Sequence, residues 1–220
     1  MNDAKLAETE TRPPRKLSRE ARREQLIEAT IETIARIGYA RTTLTEVARV
    51  AGLSHGLVNF HFETKERLLT ETLLALAEEY RRNWTEALEA AGPGAAARLD
   101  AMLRADFAPA VCSPGRLSAW CAFWGEAQSR PIYQEQCGSN DLAYNRRLEE
   151  ICADLLRETG RAGDAERIAR VLRVTIEGVW LDLMTMNAPY DRDEAQRTVY
   201  VAAEAFFPEA FNADGLRSQT

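Results

Sequence analysis

TTLTEVARVAGLSHGLVNFHF, running from Thr42 to Phe62, decides how this chain folds. The Thr42-Thr43 pair caps a short helix over Leu44–Val50, in which Leu44, Val47, Ala48 and Ala51 fall on one face at helical spacing. Ala48 is small enough to let a second helix approach closely. Gly52 supplies a tight corner, and Ser54 is the N-cap of a second short helix over Ser54–Phe60. That helix buries Leu53 and Val58 and is expected to leave Ser54, His55, Gly56, Asn59, Phe60 and His61 outward. A short exposed helix carrying Ser, His, Asn and aromatic groups, with little acid, suits insertion into a DNA major groove. The same spacing also fits an αα-corner inside a helical enzyme, so spacing alone leaves both readings open.

Outward from this stretch the helical pattern continues on both sides. Ser18 caps an upstream helix whose buried stripe is Leu26, Ile27, Thr30, Ile31, Ile34 and Ile37, with Gly38 as its terminator. Downstream, Thr64 caps a long helix from Lys65 to about Ala90, striped by Leu68, Leu69, Leu73, Leu76 and Tyr80 and closed by Gly92-Pro93-Gly94. The remainder reads as helices only, over Ala95–Val111, Gly115–Ser129, Pro131–Thr159, Asp164–Met186 and Asp191–Phe206, with no alternating strand pattern. The expected fold is all-α. A three-helix DNA-binding head at 18–66 joins a helical ligand-binding and dimerisation body at 67–210, about nine helices in all. A mobile basic arm at 1–17 precedes them and a frayed tail at 211–220 follows. Arg12-Pro13-Pro14-Arg15-Lys16 prevents regular structure in the arm, which either touches DNA or stays solvated.

Charge is distributed unevenly. The whole chain carries 28 basic and 34 acidic residues, net −6, which argues against DNA binding until it is divided. Residues 12–67 hold 11 basic and 7 acidic residues, net +4, whereas 68–220 hold 16 and 24, net −8. Positive charge therefore sits where DNA would lie, on an otherwise acidic protein. No apolar run reaches the roughly 18 residues of a membrane span, and the N-terminus lacks the apolar core of a signal peptide. The expected location is the cytoplasm, with no membrane partner. Cys112, Cys121, Cys137 and Cys152 stand singly, and the only histidines are His55 and His61 in the reading helix. Neither a metal site nor a cofactor is expected. No Ser/His/Asp or Cys/His set suggests an enzyme, which leaves a helical enzyme as a remote rival.

The segment Phe60-His61-Phe62-Glu63-Thr64-Lys65-Glu66-Arg67-Leu68-Leu69 resembles the signature with which TetR-family repressors leave the recognition helix and begin the fourth helix. The resemblance covers roughly Arg22–Leu76, with Gly38, Thr42-Thr43, the Ala51-Gly52-Leu53-Ser54 turn and Lys65 in register. Asn59 departs from it, because many members carry tyrosine there. The head residues expected to meet double-stranded operator DNA are Arg22, Thr42, Thr43, Ser54 and Lys65 on phosphates. His55, Gly56, Asn59, Phe60 and His61 are expected at or beside base edges. Asn59 is the best candidate for a specific contact, since its amide can pair with adenine N6 and N7.

In the body, Trp120 and Trp124 lie four apart on one helical face, beside Phe107, Phe123, Tyr133, Tyr144 and Trp180 elsewhere in sequence. Such rings make either plain core or a cage that attracts a cation. Asp106, Glu126, Glu177 and Asp182 are the acids at hand for counter-charge. Trp120-Cys121-Ala122-Phe123-Trp124, then Pro131, Asn145 and Ile176-Glu177-Gly178-Val179-Trp180-Leu181, resemble the body of BetI-type, choline-responsive repressors. In those proteins an Asp is usual at the place of Glu177, and their N-terminal arm is shorter. The resemblance implies a choline-like effector held by Asp106, Trp120, Phe123, Trp124, Tyr144, Glu177 and Trp180, and control of genes for choline uptake or glycine betaine synthesis. A regulator of efflux or catabolic genes with another hydrophobic or cationic effector is the alternative. The helix around Val171, Val174, Val179 and Leu183 is apolar nearly all round, and the last helix shows Val201, Ala202 and Phe206. By the same resemblance these faces build a homodimer, which would set two reading helices roughly 34–36 Å apart.

Overall fold

The computed structural model describes residues 18–127, 131–185 and 191–218. The expected basic arm, Met1–Leu17, lies outside the described residues, as does Met186 at the expected end of one helix. The chain runs α1 (Arg19–Ile37), α2 (Leu44–Ala51), α3 (His55–Phe62), α4 (Lys65–Ala90), α5 (Ala95–Ala105), α6 (Pro114–Ala127), α7 (Pro131–Thr159), α8 (Ala165–Thr185) and α9 (Arg192–Phe206). A short hairpin of β1 (Phe211–Asn212) and β2 (Gly215–Leu216) follows.

Local chemistry sets the boundaries. The Ser18, Thr43, Ser54 and Thr64 hydroxyls each accept from the backbone N–H three residues on, satisfying donors that an uncapped helix leaves orphaned. Gly52 takes the left-handed conformation (φ 66°, ψ 34°), and the next N–H, of Leu53, reaches Ala48 O at 2.9 Å. This doubly bonded corner turns α2 into α3.

Two apolar cores form. Leu26, Ala29, Val47, Ala48, Val58, Phe62 and Leu68 pack the head, while Ile31 and Ile34 of α1 and Leu69, Leu73, Leu76, Ala77 and Trp84 of α4 belong to the body core. Both α1 and α4 therefore pass through the two cores. The seam is also ion-paired: Arg116 at the start of α6 donates to Glu28 of α1 at 2.8 and 2.9 Å and lies 3.2 Å from Glu79 of α4.

Two expectations are corrected. The helix predicted over Ala95–Val111 stops at Ala105, because Pro109 has no N–H to give to Ala105 O, and a series of turns carries the chain to α6. The tail expected to fray from 211 is held through Arg217. Phe211 is fully buried, and Arg217 Nε donates to the Pro208 and Phe211 carbonyls at 2.9 Å. Among the described residues no helix is long and apolar enough to cross a membrane.

The corner yields a paired expectation. A Cβ at Gly52 meets no neighbour but must adopt the left-handed backbone, whereas Gly56 is helical and equally unobstructed. Gly52→Ala should lower stability by about 1 kcal/mol, or roughly 2–4 °C in Tm, and Gly56→Ala should raise it by a similar or smaller amount. Thermal denaturation of both variants checks the pair, and equal shifts would contradict it.

Candidate functional site

The head presents one face of α3. His55, Gly56, Asn59 and Phe60 are exposed, Phe60 to 67%, while Val58 and Phe62 are fully buried in the head core. Sequence reasoning placed the outward face almost correctly. His61 is the exception, being only 5% exposed with its ring packed between Phe60 and Phe62. α3 runs two residues further than its sequence pattern suggested, to Phe62, and Arg23 of α1 donates to the His61 carbonyl at 3.1 Å and lies over the Phe62 ring. Burial, then Arg19, Arg23 and Arg22, lower the His61 pKa, so His61 offers DNA neither a surface nor a charge.

Thr42 is also corrected. It is fully buried and its hydroxyl donates to Gly38 O at 3.0 Å, sealing the α1–α2 corner instead of reaching a phosphate. Thr43 and Ser54 stay exposed and use their oxygens as caps, keeping their hydroxyl protons for an acceptor. Lys65 spends one N–H on Ala40 O at 3.0 Å and stands over the Tyr39 ring, retaining two further donors at the α4 N-terminus. Arg22 donates to Gln25 Oε1 at 2.6 Å, and Gln25 in turn donates to Ala51 O, tying α1 to α2. Arg19, which sequence reading passed over, places its guanidinium 5.9 Å from the exposed Phe60 ring.

In the body, Tyr80 of α4, Trp120 and Trp124 of α6, Asp141, Tyr144 and Asn145 of α7, and Arg173, Ile176, Glu177 and Trp180 of α8 line one cavity of about 200 Å³. That exceeds the roughly 150 Å³ that admits benzene in an engineered protein core. Its rings form a connected cage. Trp124 lies parallel to Trp180 with centroids 6.2 Å apart, Tyr80 meets Trp120 and Trp180 edge-on, and Tyr80 lies 5.5 Å from Tyr144. Trp120, Trp124, Tyr144, Glu177 and Trp180, all expected at a ligand site, are thus brought together.

Phe123 is not part of the wall. It sits about 100° around α6 from Trp124, is buried, and meets Tyr39 of the head edge-on at 5.6 Å. Asp106 lies behind the wall. Its carboxylate accepts from Tyr80 Oη at 2.7 Å and Tyr144 Oη at 2.6 Å, and its carbonyl accepts from Trp180 Nε1 at 3.2 Å. Burial pushes the Asp106 pKa up to about 7 against the pull of the two tyrosine hydrogen bonds, and drives both tyrosines well above their ordinary range. Glu177 is held by Arg173 on its own helix at 2.5 Å. Asp182 is exposed, and neither it nor Glu126 lines the cavity.

Tyr80, Asp141, Asn145, Arg173 and Ile176 were missed as wall residues. A signal existed for most of them. Asp141, Tyr144 and Asn145 share one face of α7 by i, i+3, i+4 spacing, and Arg173, Ile176 and Glu177 repeat that pattern on α8, with Trp180 at i+7 continuing the face. Among the described residues no His, Cys, Asp and Glu group could hold a metal ion.

On the far side of α8 and α9, Val171, Val174, Leu181 and Val201 are exposed, the last to 54%. Val179, Leu183, Ala202 and Phe206 are half-buried against the body core beneath them.

The sequence model of bacterial regulatory proteins of the tetR family matches residues 26–72, and that of the BetI-type transcriptional repressor C-terminal region matches residues 95–208. The chain is 34% identical over 181 residues to the HTH-type transcriptional regulator BetI of Paraburkholderia xenovorans, covering 82% of this chain and 90% of that one. With BetI of Escherichia coli K12 the identity is 31%, covering 79% and 88%. Among solved structures, a transcriptional regulator from Pseudomonas aeruginosa PAO1 superposes with a TM-score of 0.73 at 29% identity, over 89% of this chain and 94% of that one. A Saccharomonospora viridis regulator solved in complex with choline superposes at 0.71 with 19% identity, over 82% and 94%, a likeness of fold. The reading helix in the head, the caged cavity in the body and these matches agree: the chain is a DNA-binding transcriptional regulator, not an enzyme, and it belongs to the TetR family with a BetI-type C-terminal domain.

Proposed function

We propose that this protein is a homodimeric repressor that binds operator DNA through α3 and is modulated by choline or a related quaternary ammonium compound, regulating genes of choline uptake or glycine betaine synthesis. The observation that carries the reading is the cage of Tyr80, Trp120, Trp124, Tyr144 and Trp180 with acidic groups beside it. Ring faces attract a cation by about 0.5–2 kcal/mol each, most strongly when water is excluded. The BetI names of the relatives and the choline in the S. viridis structure support the same chemistry. A volume of about 200 Å³ favours a small cation over the bulky lipophilic cations of the efflux alternative.

The path from cavity to DNA follows from the seam. α6 carries Trp120 and Trp124 in the cavity wall, Arg116 on Glu28 and Glu79, and Phe123 against Tyr39, over which Lys65 stands. A ligand that holds α4 and α6 at a different separation therefore re-aims the head. It does so only to the extent that it binds one head spacing better than the other.

Calorimetric titration with choline, glycine betaine and the neutral isostere 3,3-dimethylbutan-1-ol tests the effector. Choline should bind and the isostere should bind at least tenfold more weakly; no heat from any trimethylammonium compound would rule the effector out. On DNA, Asn59→Ala should cost about 1–3 kcal/mol on the operator and relax one base position. Lys65→Ala should weaken all sequences alike and shrink the salt slope by about one. Competition binding across operator variants separates these, and an unchanged base preference in Asn59→Ala would remove its reading role. Val174→Glu should place a charge in the proposed α8–α9 interface and convert the dimer to monomer by light scattering, whereas an intact dimer would put that interface elsewhere.

A further inference from the structure

Three carboxylates serve the cavity, and they are not equivalent. Glu177 already has Arg173 as its counter-ion at 2.5 Å. Asp141 belongs to an exposed residue at the rim, where partial desolvation and Glu177 raise its pKa and Arg173 lowers it. Asp106 is fully buried, and its oxygens receive only the neutral hydroxyls of Tyr80 and Tyr144. Among the described residues no Lys, Arg or His pairs with it. The groups that act on it are Tyr80 from α4, Tyr144 from α7 and Glu177 from α8, while the cavity wall beyond adds Asp141 from α7, Arg173 from α8 and the non-titrating Trp120 and Trp124 from α6. On α5, which ends just before Asp106, Arg104 is engaged by Asp100 at 2.7 Å. A buried carboxylate without a cationic partner is costly, and the cost falls when a positive charge arrives nearby.

The same residue also fixes the cage. Through two side-chain bonds and one backbone bond it ties down Tyr80, Tyr144 and Trp180, three of the rings that line the cavity. Two of those bonds are to rings that line the cavity, so Asp106 stands one hydrogen bond behind its wall.

We propose that Asp106, a positioning residue one layer behind the cavity wall, makes the cage select a cation over a neutral molecule of the same shape by taking the bound cation as the counter-charge it lacks. This rests on the quaternary-ammonium reading above. Bound cation and ionised Asp106 stabilise each other, so capture of the cation releases the proton that Asp106 otherwise keeps for part of the time near neutral pH. A neutral isostere fills the same space and releases nothing.

The test titrates the full chain with choline and with 3,3-dimethylbutan-1-ol at pH 6 and pH 8. Choline affinity should rise about five- to tenfold between the two, and that of the isostere should stay flat. In Asp106→Asn the pH dependence should vanish, with choline at pH 8 falling to near its wild-type pH 6 affinity and the isostere unchanged. Equal choline affinity at both pH values, or an Asn variant that keeps the wild-type profile, would overturn the role of Asp106 and leave the effector reading standing. No choline binding at either pH would overturn both.

A ligand-free measurement guards against a merely structural effect. Because folding raises the Asp106 pKa, its cost to stability is complete above about pH 7 and is relieved as pH falls through that value toward the ordinary carboxylate range. Asp106→Asn should therefore melt a few degrees above the wild type at pH 8, with the gap closing toward pH 5. A gap that ignores pH contradicts the proposal. Should the variant not fold, wild-type titrations at pH 7 in two buffers of different ionisation enthalpy decide the matter: proton release on choline binding supports it, and none overturns it.

Discussion

The head of this protein is too small to hold itself. Its core consists of seven buried apolar residues, two of them alanines, which is little to fix three short helices against the entropy of ordering them. What makes the arrangement rigid is that α1 and α4 do not stop at the head. Ile31 and Ile34, and the row from Leu69 to Trp84, continue the same two helices into the much larger body core. The head thus draws its stability and its orientation from rods anchored elsewhere. Such dependence suits the re-aiming proposed above, since a head anchored in this way follows movements of α1 and α4 in the body.

The cavity lies where those rods can feel it. Tyr80 sits on α4 itself, and Trp120 and Trp124 on α6, whose first turn grips α1 and α4 through Arg116. The early end of α5 puts Asp106 in reach of both tyrosines. Had the helix run on past Pro109, Asp106 would lie inside it and not at the turn where its carbonyl takes the Trp180 indole. A local rule about proline therefore helps decide the composition of a ligand site 26 and 38 residues from its tyrosine partners.

Sequence reasoning read the head well because its signals are local. The Thr43, Ser54 and Thr64 caps and the Gly52 corner act over three or four residues, and each appears in the structure as read. Thr42 escaped because it lies in the corner before α2, where its hydroxyl closes back on Gly38 O, and His61 because which face of the eight-residue α3 turns inward depends on how that helix packs in the head, a tertiary fact. The body was harder for the same reason. Trp120 and Trp124 declare a shared face, but nothing in sequence says that this face meets Tyr80, whose place at the end of a leucine stripe reads as plain core. The facing sets on α7 and α8 were each visible, and their meeting was not. The tail illustrates burial overriding position, since Phe207 and Phe211 are fully buried and hold down a segment whose composition reads as frayed.

The transmission proposed above needs less energy than a cation held in the cage would supply. A coupling of 1–3 kcal/mol changes an affinity five- to 150-fold, whereas several rings at about 0.5–2 kcal/mol each give a larger gross attraction. Only the part that differs between two head spacings counts, and that part arises where the walls move relative to each other. Tyr144 and Trp180 belong to α7 and α8, which pack together in the body, so their distances to a ligand change little when the head turns. Tyr80 and the α6 tryptophans stand on opposite sides of the seam between rod and body, and a shift of α4 against α6 alters their separation directly. The discriminating contacts are therefore those of Tyr80, Trp120 and Trp124. For the proposed effector, the remaining rings would set how tightly a cation is held while contributing little to which head spacing it favours.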